Sequence, residues 1–83
     1  MYKVRIERKA IKKLAKIPEP YYSKIKSSII SLTKDPKPKS CKKLKGREAF
    51  RIRVANYRII YEVHDKILLI GVIEIGHRKD IYR

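Results

Sequence analysis

Three arginines, Arg51, Arg53 and Arg58, sit close together in the run FRIRVANYRIIYEV from Phe50 to Val63. A guanidinium is a planar fork of donors that matches the oxygens of a phosphate or carboxylate, so the chemistry to look for is anion binding. Apolar residues alternate with these arginines, and the alternation is broken only by Ala55-Asn56. That pattern predicts two strands joined by a two-residue hairpin loop. Counting outward from the loop, Val54 pairs Tyr57, Arg53 pairs Arg58 and Arg51 pairs Ile60. Side chains alternate between the faces of a strand. Phe50, Ile52, Val54, Tyr57, Ile59, Tyr61 and Val63 therefore share one face, and Arg51, Arg53 and Arg58 share the other. Like charges directly across a ladder destabilise it. Three guanidinium groups on one small patch imply an anion to be held there, and one phosphate is enough.

The elements that must carry this patch follow from periodicity. Tyr2 to Glu7 alternates apolar and charged residues and predicts a first strand. From Arg8 to Ile17 the period changes, with Ala10, Ile11, Leu14 and Ile17 at helical spacing. Pro18 and Pro20 end this helix and open a second. The second runs from Pro20 to Lys34, with Tyr22, Ile25, Ile29 and Leu32 on its apolar face. The short connector favours an antiparallel helical hairpin, and Asp35-Pro36 stops the second helix. Lys39 to Glu48 reads as a loop, with Leu44 as an anchor and Gly46 as a turn. After the hairpin, a loop at His64-Asp65-Lys66 leads into a third strand. That register places Ile67, Leu69, Gly71, Ile73 and Ile75 on the apolar face. It places Leu68, Ile70, Val72, Glu74 and Arg78 on the arginine face. The expected fold is α+β, in the order β-α-α-β-β-β. The helical hairpin covers one face of a small, mainly antiparallel, twisted sheet, and the other face stays partly open.

The chain has 83 residues, enough for one domain over positions 1–83 and too few for a second core. Lys and Arg number 23 against 8 acidic residues, a formal charge of +15. So basic a chain is drawn to polyanions such as RNA, DNA, an anionic membrane or an acidic protein. Cys41 is the only cysteine, which excludes an internal disulfide and a cysteine-built zinc site and suits a reducing cytosol. No metal or cofactor is expected. Tyr2 to Ile17 is charged and amphipathic, not the apolar core of a signal peptide. The longest apolar run, Ile67 to Ile73, is too short to cross a bilayer and reads as a buried strand.

The order of elements and several motifs resemble the RelE family of bacterial and archaeal toxins, in the RelE/ParE superfamily. The likeness spans nearly the whole chain. It includes the opening MYKVRIERKAIKKLAKI, the Asp35-Pro36 stop and the Leu44-Lys45-Gly46 turn. It is most specific in RIRVANYRIIYEV and in the closing GHRKDIYR from Gly76 to Arg83. The resemblance implies the toxin of a type II toxin–antitoxin system. Its activity would be that of a metal-independent, ribosome-dependent endoribonuclease (an mRNA interferase) that cuts messenger RNA in the ribosomal A site. It implies a RelB-like antitoxin partner, contact with operator DNA only through the antitoxin complex, a cytoplasmic location and no membrane contact. Carried over by position, the family's active site falls on Arg51, Arg53, Arg58, Arg78 and Tyr82. Some members have lysines where this chain has Arg51 and Arg53, and a lysine there is proposed as general base. Arginine holds its proton too tightly for that task, so the resemblance supports phosphate binding at these two positions.

Metal-free RNA cleavage needs a base for the ribose 2′-OH, a stabiliser for the charge on the pentacovalent phosphate, and a proton for the leaving 5′ oxygen. Arg53, Arg58 and Arg78 suit the second task. Tyr82 suits base stacking or orientation of the 2′-OH. His77 is the expected auxiliary acid or base, since histidine titrates near neutrality, and Glu74 is the alternative base if it faces the arginines. Two rival functions compete with this one. One is a ParE-like toxin of the same fold without the ribonuclease residues, acting on DNA gyrase, against which the presence of Arg58, Arg78 and Tyr82 weighs. The other is a non-enzymatic basic RNA-binding module.

Overall fold

In the computed structural model, which describes residues 1–77, strand β1 (Lys3–Ile6) is followed by helices α1 (Arg8–Ala15) and α2 (Tyr21–Leu32). A short strand β2 (Lys42–Lys43), then β3 (Phe50–Val54) and β4 (Tyr57–His64), lead through a 3-10 turn (Asp65–Ile67) into β5 (Leu69–His77). The sheet order is β1-β5-β4-β3-β2. β1 runs parallel to β5, and every other pair is antiparallel. The α+β class and the two-helix, mainly antiparallel arrangement are those expected from the sequence.

The hairpin has the expected register: Val54 opposite Tyr57, Arg53 opposite Arg58 and Arg51 opposite Ile60. Ala55, the first loop residue, has φ 54°. A two-residue loop needs such a backbone to follow the right-handed twist of its strands, and alanine adopts it at a cost that glycine avoids. Phe50, Val54, Tyr57 and Val63 pack against a core that contains Ile52, Ile59 and Tyr61.

Both helices contribute to that core. Ala10 and Leu14 come from α1, and Ile25, Ile29 and Leu32 come from α2. α1 packs on β5 and α2 on β3. The α2 stripe is the one its spacing predicts. In α1, Ile11 departs from the expected stripe and is 51% exposed. α1 ends at Ala15 instead of Ile17, although Ile17 still packs on the core. Glu19 secures the first turn of α2 by accepting hydrogen bonds from the Ser23 backbone N–H at 3.1 Å and the Ser23 hydroxyl at 2.8 Å. The segment after α2 is tied to the sheet by the fully buried Tyr61, whose hydroxyl donates to the Pro36 carbonyl at 2.7 Å.

Two findings correct the expected last strand. β4 continues to His64, and the connection occupies Asp65 to Leu68, with Leu68 at φ 52°. Val63 therefore pairs Ile70, and Ile70 and Val72 lie in the core, not on the arginine face. The register then shifts: Ile60 pairs Glu74 while Tyr61 pairs Val72, which leaves Ile73 as the extra residue of a β-bulge. The bulge reverses the alternation a second time, so Ile75 points into the core as the sequence pattern predicts. Lys42 and Lys43 were expected in a loop and form an edge strand on β3 instead.

Candidate functional site

The face of the sheet turned away from the helices carries the arginines. Arg53 is exposed, and Arg51 is half-buried. Arg58, directly opposite Arg53, is 1% exposed, so the expectation of three open guanidinium groups is corrected at this position. Its cross-strand neighbour on β5 is Gly76, which has no side chain, and the adjacent Ile60 is also buried at 4%. Arg58 thus supplies a positive charge fixed in place beside two accessible ones.

Arg51 and Arg53 line one cleft together with Ser40 and Lys42, with a volume of about 270 Å³. Lys42 pairs directly with Arg51 across β2 and β3. Strand alternation therefore puts Lys42, Arg51, Arg53 and Arg58 on a single face. The face holds two like-charged cross-strand pairs, Lys42–Arg51 and Arg53–Arg58. Sequence patterning missed Lys42 and Ser40. A two-residue strand made of two lysines has no apolar alternation to reveal it. The available signal was the Gly46 turn, which folds Lys42–Lys43 back onto Phe50–Arg51 and has φ 69° at the glycine.

The other expected residues separate from this cleft. His77 pairs with Tyr57, and their rings meet edge-on at 5.4 Å between centroids. Tyr57 packs on the helix-covered core, so His77 lies on the side away from the arginines. Its expected part as an acid or base in the cleft is not supported by this geometry. Glu74 pairs Ile60, which pairs Arg51, so it shares the arginine face as expected, but it stands two strands from Arg51 and lines a different cleft with Lys9, Ala10 and Lys13 of α1. Arg78 and Tyr82 lie outside the described residues. A larger cleft of about 460 Å³ lies toward the β1 edge and is lined by Arg5, Glu7, Arg8, Glu62 and His64 among others. There Glu62 Oε1 lies 3.2 Å from His64 Nε2, within hydrogen-bonding distance.

Among the described residues, no group of His, Cys, Asp and Glu could hold a metal ion, and no helix is long and apolar enough to cross a membrane. What the cleft can do chemically is hold an anion. An exposed guanidinium, a half-buried one, an ammonium and a hydroxyl converge on it, and none of the four is a carboxylate.

The small α+β fold is shared with known proteins. A family model described as the ParE toxin of the type II toxin–antitoxin system parDE matches residues 4–82. Among solved structures, a chain of the archaeal RelE–RelB complex from Pyrococcus horikoshii OT3 superimposes with a TM-score of 0.84. It is 28% identical over 93% of this chain and 94% of that one. A chain of the RelB–RelE antitoxin–toxin complex from Methanococcus jannaschii is 31% identical, with 93% of each chain covered and a TM-score of 0.75. The isolated E. coli RelE toxin shares the fold at a TM-score of 0.82, with 22% identity over 93% of this chain and 84% of that one. Among curated proteins, none matches significantly. The chain belongs to the ParE toxin family of type II toxin–antitoxin systems, within the RelE/ParE superfamily.

Proposed function

We propose that this toxin is a metal-independent endoribonuclease that cuts messenger RNA on the ribosome, with Arg51 and Arg53 holding the scissile phosphate. The observation that carries this reading is the cleft of Ser40, Lys42, Arg51 and Arg53. It gathers cations on the open sheet face at a net cost in cross-strand repulsion, which a bound phosphodiester would reverse. Arg58 contributes a fixed positive field beside the cleft, and Arg78 and Tyr82 complete the site by the resemblance. The 2′ oxygen attacks the adjacent phosphorus, the bond to the 5′ oxygen breaks, and the guanidinium groups stabilise the added negative charge. Much of the rate comes from in-line positioning, which can supply ~7–11 kcal/mol. A ribosome presenting an extended codon provides that geometry.

The partners of this reading are the ribosome with its mRNA and a RelB-like antitoxin. Operator DNA is met only through the antitoxin complex, the location is the cytoplasm and no cofactor takes part. The similarity to RelE chains solved with RelB supports the antitoxin. The test is cleavage of one message, free in solution and on translating ribosomes. Cutting only on ribosomes is expected, and rapid digestion of free RNA would contradict the reading.

A second reading is favoured by the family model itself, whose description is that of a ParE toxin. On that reading the protein inhibits DNA gyrase, and the arginine face binds an acidic protein surface. Inhibition of supercoiling by the purified protein, without any RNA cut, would establish it.

A further inference from the structure

Resting on the ribonuclease reading, the geometry points to Lys42 as the group that takes the proton from the attacking 2′-OH. The reaction requires a base within reach of the phosphate, and among the described residues the cleft is lined by two arginines, a serine and a lysine. A guanidinium does not release its proton in water, and a serine hydroxyl is not a base. An ammonium group can give up its proton and act as one. His77 is turned to the helix side with Tyr57, and Glu74, though on the arginine face, stands beyond Ile60, two strands from Arg51, and lines the cleft beside α1 rather than this one. The hydrogen-bonded Glu62 and His64 belong to the cleft at the β1 edge.

The placement of Lys42 supports the assignment. It stands directly opposite Arg51 and lines the cleft with it. Its neighbour Lys43 is opposite Phe50 and forms an ion pair with Glu48 at 3.3 Å. Lys42 makes no ion pair with a described carboxylate. The charged groups on its side of the sheet are Arg51 and Arg53 on β3, Arg58 on β4, the adjacent Lys43–Glu48 pair, and Glu74 at the far end of the row Lys42, Arg51, Ile60, Glu74.

The step balances as follows. The Lys42 Nζ lone pair accepts the 2′-OH proton, and O2′ forms its bond to phosphorus. The bond from phosphorus to O5′ breaks, which leaves a 2′,3′-cyclic phosphate. O5′ takes a proton from water, and the Lys42 ammonium returns its proton to the resulting hydroxide. Ser40 can donate its hydroxyl hydrogen to a phosphate oxygen in the same cleft. The two arginines hold the phosphate and take no part in the proton transfer.

Lys42→Arg separates the two roles a lysine could have here, because it keeps the positive charge and removes the base. The experiment is single-turnover cleavage on programmed ribosomes with the wild type, Lys42→Arg, Lys42→Ala and Lys43→Ala, across a range of pH. General base catalysis is worth roughly 100-fold to 10,000-fold. Both Lys42 variants should lose at least about 100-fold in rate, and the rise of rate with pH seen in the wild type should disappear. Lys42→Arg should still bind ribosomes as tightly as the wild type, Lys43→Ala should cut normally, and added methylamine should restore part of the activity of Lys42→Ala. Lys42→Arg cutting at the wild-type rate with the wild-type pH profile would overturn the assignment and leave the ribonuclease reading intact. A wild-type protein that cuts nothing would overturn both. Lys42 is exposed, and thermal melts of Lys42→Arg confirm that its fold is unchanged.

Discussion

Replacing Arg53 with threonine should raise stability and abolish activity together. Arg53 stands directly opposite Arg58 and two residues from Arg51 on the same face. Like charges directly opposite on a sheet cost ~0.2–1 kcal/mol. Arg58 is almost fully buried, so water screens its side of the pair poorly, and the upper half of that range applies. Threonine keeps a strand-favouring side chain at the exposed position. Relief of about 0.5–1 kcal/mol corresponds to a rise in Tm of roughly 2–8 °C for a domain of this size. The gain should be largest at low ionic strength and should shrink as salt is raised, because the screening length falls from ~10 Å at 0.1 M to ~3 Å at 1 M. The assays are urea unfolding and thermal melts of both proteins at about 20 mM and about 1 M salt, read beside ribosome-dependent cleavage, whose rate should fall roughly 100-fold to 1,000-fold. A variant that melts below the wild type at low salt would refute the reasoning. So would a stability difference indifferent to salt. In either case Arg53 would be held by favourable contacts, and the sheet would need no anion to relieve it.

Other outcomes follow from the packing. Tyr61→Phe removes the bond to the Pro36 carbonyl and should cost ~1–2 kcal/mol in urea unfolding. Burial, and then hydrogen bonding with Cys41, push the Tyr61 phenol above its ordinary value of 10.0. The folded state therefore binds this proton more tightly than the unfolded chain does. The resulting stability is fully present below pH 10.0 and is lost as pH rises beyond it. Unfolding measured on the alkaline side should show that decline in the wild type and less of it in Tyr61→Phe. Ala55→Gly relieves the positive φ of the hairpin loop and should stabilise by up to ~1 kcal/mol in the same assay. Ile25→Ala empties a fully buried site on α2 and should cost ~2–5 kcal/mol, seen as a lowered urea midpoint.

How much of this could be read from the chain depended on how local the signal was. The arginine hairpin was legible to the residue, because a two-residue loop fixes register and the alternation on both sides agrees with it. The α2 stripe was legible for the same reason at a different period. The phase of β5 was not. A four-residue connection at Asp65–Leu68 and a bulge at Ile73 each shift the alternation by an odd step, and their effects cancel by Ile75. Neither step has a sequence mark, since Leu68 takes a positive φ without being glycine or asparagine. β2 was invisible because its two lysines lack any apolar partner, and with it went the one amine among the described residues of the cleft. The burial of Arg58 was also out of reach. Alternation assigns a face, but exposure depends on what else packs there.

The central claim is that the Arg51–Arg53 cleft holds a phosphodiester of messenger RNA on the ribosome. Mapping the 5′ ends of a translated message after the protein is added tests it most directly, with Arg53→Ala alongside and an untranslated copy of the same message. The account predicts new ends inside codons of the translated copy alone, absent with the variant. Ends that appear equally on the untranslated copy, or that persist undiminished with Arg53→Ala, would contradict it.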